Sequence, residues 1–288
     1  MSKITRALEK AALERLQREQ PPTTVSDVPV TVKMMSDVNA ITPIGQTQVD
    51  PHIVCAAEAA SHIAEQYRML KANLQSMRRR ANIKTIVMTS AMVGEGKSVT
   101  AINLALTLAR QEHMKVVLVD ADMRRSSVHR WLGLGEATHG LSTALQQNGA
   151  LNGSLVRLGS PALTILPSGP HPQQPAELLA SSNMRRILET LKAQFDLVII
   201  DTSPVLSVSD SSILAAQADG VLLMVKAGWT QLKTILEAKA RLEQVKATLL
   251  GCILTHVQLF SPGYYRYYRE YYKEKAHHAA STTPASVR

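Results

Sequence analysis

Lys84-Thr85-Ile86-Val87-Met88-Thr89-Ser90-Ala91-Met92-Val93-Gly94-Glu95-Gly96-Lys97-Ser98-Val99 is the stretch whose reading decides the fold. The apolar run over Lys84–Ser90 reads as a strand, a glycine-bearing turn follows it, and Lys97–Gln111 reads as a helix. A strand that passes through glycines into a helix is the context a phosphate loop needs. The glycines let backbone amides curl around phosphate oxygens, and the helix N-terminus favours an anion. Lys97 would then reach the β- and γ-phosphates of a nucleotide, and the Ser98 hydroxyl would bind magnesium. The candidate ATP-binding residues are Val93, Gly94, Glu95, Gly96, Lys97, Ser98 and Val99. The strict pattern asks for glycine where this chain has Ala91. The competing reading is a chance Gly-Lys turn.

Two more apolar strands end in acids. Val116-Val117-Leu118-Val119 runs into Asp120-Ala121-Asp122-Met123-Arg124, and Leu197-Val198-Ile199-Ile200 runs into Asp201-Thr202-Ser203-Pro204. In a parallel sheet these strand ends share an edge with the phosphate loop, so the carboxylates converge where magnesium would sit. Asp122 and Asp201 are candidate magnesium ligands, and Asp120 is placed to orient or deprotonate an acceptor hydroxyl. Lys97, Asp120, Asp122 and Asp201 form the candidate catalytic set. The plainer alternative is that these acids cap the helices that follow.

The remaining pattern supports an α/β fold: one doubly wound, mainly parallel sheet, phosphate-loop NTPase-like, with an N-terminal helix and linker and a tyrosine-rich tail. Residues 1–20 read as an amphipathic helix carrying Ile4, Leu8, Ala11, Ala12 and Leu16, ended by Pro21-Pro22. Its modest apolar stripe favours docking on a partner over membrane anchoring. Residues 21–55 read as a linker, 56–260 as the catalytic domain and 261–288 as a flexible tail. Within the domain we expect helices over about Ala56–Arg80, Ala176–Ala193, Ser209–Ala216 and Leu232–Val245. Strands are expected over Leu163–Pro167, Gly220–Val225 and Leu250–His256.

Composition narrows the classes. At 288 residues with 45% hydrophobic content, the chain can bury one sizeable core and carry tails. No window approaches bilayer-spanning length, and no signal-peptide pattern opens the sequence. Two distant cysteines argue against a disulfide framework or zinc site and fit a reducing cytosol. The net charge of +9 is concentrated in a block from Arg68 to Lys84 and in the tail. Either a solvated helix face or an anionic partner explains the block. No nucleic-acid module accompanies it, so nucleic acid is not an expected partner.

Six of the seven tyrosines lie at Tyr264, Tyr265, Tyr267, Tyr268, Tyr271 and Tyr272. Adjacent positions on a helix point about 100° apart, so six such rings would surround the axis instead of forming one packed face. A mobile set of phenol acceptors beside a nucleotide site points to an enzyme that phosphorylates its own tail. An aromatic terminal helix packed on the core is the alternative.

Together, the phosphate loop, the Asp-x-Asp-x-Arg segment at Asp120, Asp122 and Arg124, the Asp-x-x-Pro segment at Asp201 and Pro204, and the tyrosine cluster resemble the bacterial tyrosine kinases of exopolysaccharide and capsule production. The resemblance covers about Ala56 to the C-terminus and includes Pro175-Ala176-Glu177-Leu178-Leu179. It implies ATP and magnesium as substrate and cofactor, and autophosphorylation of the tail in trans within a homo-oligomeric ring. The family's Glu-x-x-Arg-x-x-Arg interface pattern falls here on Glu65, Arg68 and Lys71, where lysine lacks the planar fork of arginine. Relatives often carry Leu-Asn where this chain has Leu254-Thr255. The resemblance further implies a cytoplasmic protein held at the inner membrane by a transmembrane chain-length-determinant (polysaccharide co-polymerase) adaptor, with a protein tyrosine phosphatase as a further partner. It is nearest to the stand-alone form and to exosortase-linked members. The rival readings are a partition or septum-positioning ATPase switch, whose second loop lysine is replaced here by Met92, and a non-catalytic ATP-binding export scaffold.

Overall fold

A computed structural model describes residues 41–42, 49–56, 61–159 and 162–257. The expected N-terminal helix, most of the linker and the tyrosine cluster lie outside the described residues. Strands are β1 Ile41–Thr42, β2 Thr85–Ser90, β3 Val116–Asp120, β4 Val156–Leu158, β5 Thr164–Leu166, β6 Leu197–Asp201, β7 Gly220–Lys226 and β8 Leu249–Thr255. Helices are α1 His62–Ala81, α2 Lys97–Ala109, α3 Val128–Trp131, α4 Leu141–Gln146, α5 Pro175–Ala180, α6 Ser182–Gln194, α7 Asp210–Ala215 and α8 Leu232–Gln244.

The strands form one sheet in the order β1-β4-β5-β3-β6-β2-β7-β8. Every pairing is parallel except β4 with β5. The central strands are apolar throughout because both faces are covered. Ile86, Met88, Leu118, Ile199 and Met224 pack on one side with α1 and α2. Their neighbours Val87, Val117, Val119, Ile200 and Leu223 pack on the other with α4 to α8. Successive side chains thus feed two separate cores, and each fully buried Leu or Ile contributes roughly 1.5–3 kcal/mol.

Three local features differ from the sequence expectation. The helix expected over Ala176–Ala193 is two helices, because Ser181 turns extended (ψ 161°) and its hydroxyl accepts the Met184 N–H at 3.4 Å, capping α6. The short antiparallel β4 was not anticipated. The linker boundary at residue 55 also needs correction. Ile53 and Cys55 are buried, and the wholly buried Asn103 on α2 holds this segment. Its amide accepts the Cys55 N–H at 2.9 Å and donates to the His52 carbonyl at 3.0 Å. Residues 49–56 therefore belong to the folded body.

Replacing Asn103 by alanine leaves buried backbone groups unpaired. Asn103→Ala should destabilise the chain by about 2–4 kcal/mol in urea unfolding and speed proteolysis near residue 55. Unchanged stability with unchanged proteolysis would show that the segment is not anchored there.

Candidate functional site

The parallel register builds the site. Asp120 at the end of β3 stands directly opposite Asp201 at the end of β6, and β2, which leads into the phosphate loop, flanks β6 on its other side. In the loop, Gly94 and Gly96 both have φ +82°, a left-handed conformation that side-chain-bearing residues adopt only with strain. Gly96 is the N-cap of α2, with Lys97 and Ser98 in the first turn. Loop, lysine, hydroxyl and three acids meet at one edge of the sheet.

Lys97 is the cation at the centre. Its Nζ lies 3.0 Å from Asp122 Oδ2, 3.3 Å from Ser98 Oγ and 4.0 Å from Asp201 Oδ1. Burial works against its charge, but Asp201 and Asp122 outweigh that and raise its pKa. Asp201 is fully buried, and neither of its carboxylate oxygens has a hydrogen bond among the described residues. Burial pushes its pKa up, against the pull of Lys97.

Asp120 divides its two oxygens. Oδ2 accepts the N–H groups of Ser127 and Val128, each at 3.2 Å, at the start of α3, and Oδ1 is buried without a partner. The capping alternative holds for one oxygen of this acid and leaves the other free. Burial, with Asp201 next, raises the Asp120 pKa to about 7. Asp122 Oδ1 accepts the Arg125 N–H at 3.1 Å, which fixes the turn after β3. Arg124 grips the buried Asp210 of α7 through Nε at 2.8 Å and a second guanidinium nitrogen at 3.2 Å. That fork ties the first acidic segment, after β3, to the helix following the second, after β6.

A cleft of about 450 Å³ opens over the phosphate loop, Lys97 and Asp122, lined also by Ser98, Val99, Arg125, Arg130 and Trp131. At Gly94 and Gly96 it meets a groove of about 1130 Å³ between α1 and β8. Thr255, in the position where relatives often carry Asn, lines that groove and donates from Oγ1 to the Glu95 carbonyl at 2.8 Å. Glu65, Arg68 and Lys71 sit three residues apart on α1, with Glu65 and Arg68 ion-paired. They are on a different element from the candidate catalytic set. Arg125, Arg130, Trp131 and Asp210 were not anticipated. The Arg124–Asp210 pair spans 86 residues of sequence, and no local pattern marks such a contact.

Residues 83–251 match the AAA domain family. The chain is 36% identical over 222 residues to the tyrosine-protein kinase YwqD of Bacillus subtilis, covering 77% of this chain and 93% of the relative. It belongs to the bacterial tyrosine-protein kinase family. Tyrosine-protein kinase CpsD of Streptococcus agalactiae is 34% identical, with 69% of this chain and 85% of the relative covered. The kinase domain of Escherichia coli tyrosine kinase ETK superposes with a TM-score of 0.67 at 28% identity, covering 74% of this chain and 84% of that one. The tyrosine kinase fold expected from the motifs is the one observed. No helix among the described residues is long and apolar enough to cross a membrane.

The raised pKa of Asp120 has a consequence for stability. A carboxyl whose folded pKa exceeds its unfolded value of 3.8 binds more protons folded than unfolded between those values. It therefore subtracts stability progressively as pH rises from about 4 to about 7, and the loss is complete above that. Asp120→Asn keeps an oxygen for the Ser127 and Val128 amides and removes the titration. In EDTA, the variant should melt several degrees above the wild type at pH 8 and at nearly the same temperature at pH 4. Equal melting temperatures at pH 8 would contradict the raised pKa.

Proposed function

We propose that this kinase transfers the γ-phosphoryl group of ATP to Tyr264, Tyr265, Tyr267, Tyr268, Tyr271 and Tyr272 of a neighbouring copy, and so regulates exopolysaccharide or capsule synthesis and export. The observation that carries this reading is the convergence of Lys97, Ser98, Asp120, Asp122 and Asp201 beside the phosphate loop.

Phosphoryl transfer asks mainly for positioning and charge neutralisation. The loop amides and Lys97 offset charge on the phosphates, and the groove beside Thr255 receives the nucleoside. The acidic edge suits magnesium: the free oxygens of Asp201 and Asp120, with Asp122 and the Ser98 hydroxyl, make an all-oxygen donor set. Ser98, Asp122 and Asp201 would hold the ion, directly or through water. Bound magnesium supplies charge neutralisation at the β- and γ-phosphates. Asp120 orients the incoming phenol and takes its proton, a task suited to a carboxyl with a pKa of about 7.

Each added phosphate brings about −1.5 to −2 of charge and reverses the basic character of the tail. In this reading the unmodified tail engages the next subunit of a homo-oligomer, a ring in contact through Glu65, Arg68 and Lys71, and phosphorylation releases it. A transmembrane chain-length-determinant adaptor would hold the assembly at the inner membrane, and a protein tyrosine phosphatase would reset it.

Lys97→Met removes the cation while keeping an unbranched side chain one atom shorter. Mass spectrometry after incubation with ATP and magnesium should show tail phosphotyrosine reduced about 100-fold or more, with circular dichroism unchanged. Phosphotyrosine persisting in that purified variant would refute the site assignment. ATP binding without any tail phosphotyrosine in the wild type would favour the export-scaffold reading. By light scattering, phosphorylated protein should be smaller than the dephosphorylated form, and equal sizes would reject release by phosphorylation.

A further inference from the structure

Glu95 lies in the middle of the phosphate loop, yet its side chain is wholly buried. Oε2 accepts the Met92 N–H at 2.8 Å, and Oε1 accepts the hydroxyl of Thr230. Thr230 sits in the turn between β7 and α8 and is itself fixed there: its Oγ1 accepts the Lys226 N–H at 3.2 Å, and its N–H donates to the Lys226 carbonyl at 3.1 Å. The Glu95 carbonyl is taken by Thr255 at the end of β8. The loop is thus gripped from the β7–β8 side of the sheet by residues more than a hundred positions away in sequence.

That grip acts where order is hardest to maintain. Two glycines in the left-handed conformation flank Glu95, and glycine loses more conformational freedom on ordering than any other residue. A loop that must order itself around phosphates spends binding energy doing so, whereas one already held in shape does not. A carboxylate accepting from a hydroxyl and an amide makes stronger bonds than neutral partners do, so the latch is well suited to that work.

We propose that Thr230 is a positioning residue for nucleotide binding: through the Glu95 carboxylate, its hydroxyl holds the phosphate loop in the shape that receives the phosphates. This deepens the phosphate-loop assignment above and rests on it. Thr230 touches no substrate in this role. Thr230→Val keeps the shape of the side chain and removes the donor, whereas Thr230→Ser restores it.

The test is calorimetric titration of the full-length protein with ADP and magnesium, alongside steady-state kinetics in ATP. Thr230→Val should weaken ADP binding about tenfold, the loss of one hydrogen bond to a charged group, with Thr230→Ser within about twofold of wild type. The KM for ATP should rise in the valine variant by a similar factor while kcat changes less than about threefold. In a Glu95→Ala background the further change to valine should weaken ADP binding no further, because the Glu95–Thr230 bond is already gone, and any remaining fall in melting temperature reports the Lys226 N–H left without its acceptor. Wild-type ADP affinity in Thr230→Val, or a fall in melting temperature without any change in affinity, would overturn the latch alone. Failure of the wild-type protein to bind ADP would instead overturn the nucleotide-site assignment and the latch together.

Discussion

Three carboxyl groups crowd one partly buried ammonium at the carboxyl edge of the sheet, and the rest of the structure is arranged to tolerate that imbalance. Asp120 and Asp201 face each other in register on adjacent strands, so the parallel sheet itself forces them together. Lys97 lies within 4.0 Å of Asp122 and Asp201 but cannot neutralise all three acids. Part of the strain is relieved by keeping a proton on Asp120 near neutral pH and by two amides at the start of α3. Buried oxygens without hydrogen bonds are costly in an ordinary core. Such a cost is retained where a site has to meet a highly charged substrate and its counter-ion.

Rigid support makes that arrangement possible. The central strands are buried on both faces, which fixes where their ends lie. Arg124 and Asp210 join the two acidic segments, while Glu95, Thr230 and Thr255 join the phosphate loop to β7 and β8. The first connection governs where the carboxylates stand, and the second governs the shape of the backbone opposite them. The geometry of this edge therefore depends on contacts made well outside the three sequence motifs.

What could be read from the sequence follows from which signals are local. The phosphate loop, the acids closing Val116–Val119 and Leu197–Ile200, and the alternation of strands with helices are patterns of neighbouring residues, and the fold reproduces them. Ser181 went unread as a helix break because its capping bond competes with an otherwise continuous helical pattern. The β4 strand is three residues long and gains its identity from β5, not from its own composition. Residues 49–55 look like linker by composition, and distant partners, Asn103, Arg110 and Trp131, show that they are anchored. Glu95 was read as a phosphate-loop residue by position, but nothing nearby in sequence announces Thr230 as its partner. The tyrosine cluster is plain in composition and lies outside the described residues, so its role rests on the chemistry of the site it would reach.

The central claim is that Lys97 and the acids around it form the phosphate and metal site. Its most direct test is a crystal structure with a non-hydrolysable ATP analogue and magnesium. The account predicts the triphosphate seated on the loop from Gly94 to Ser98, with the Lys97 ammonium drawn from Asp122 onto phosphate oxygens. A triphosphate bound elsewhere, or Lys97 still paired with Asp122 at its present 3.0 Å, would contradict it.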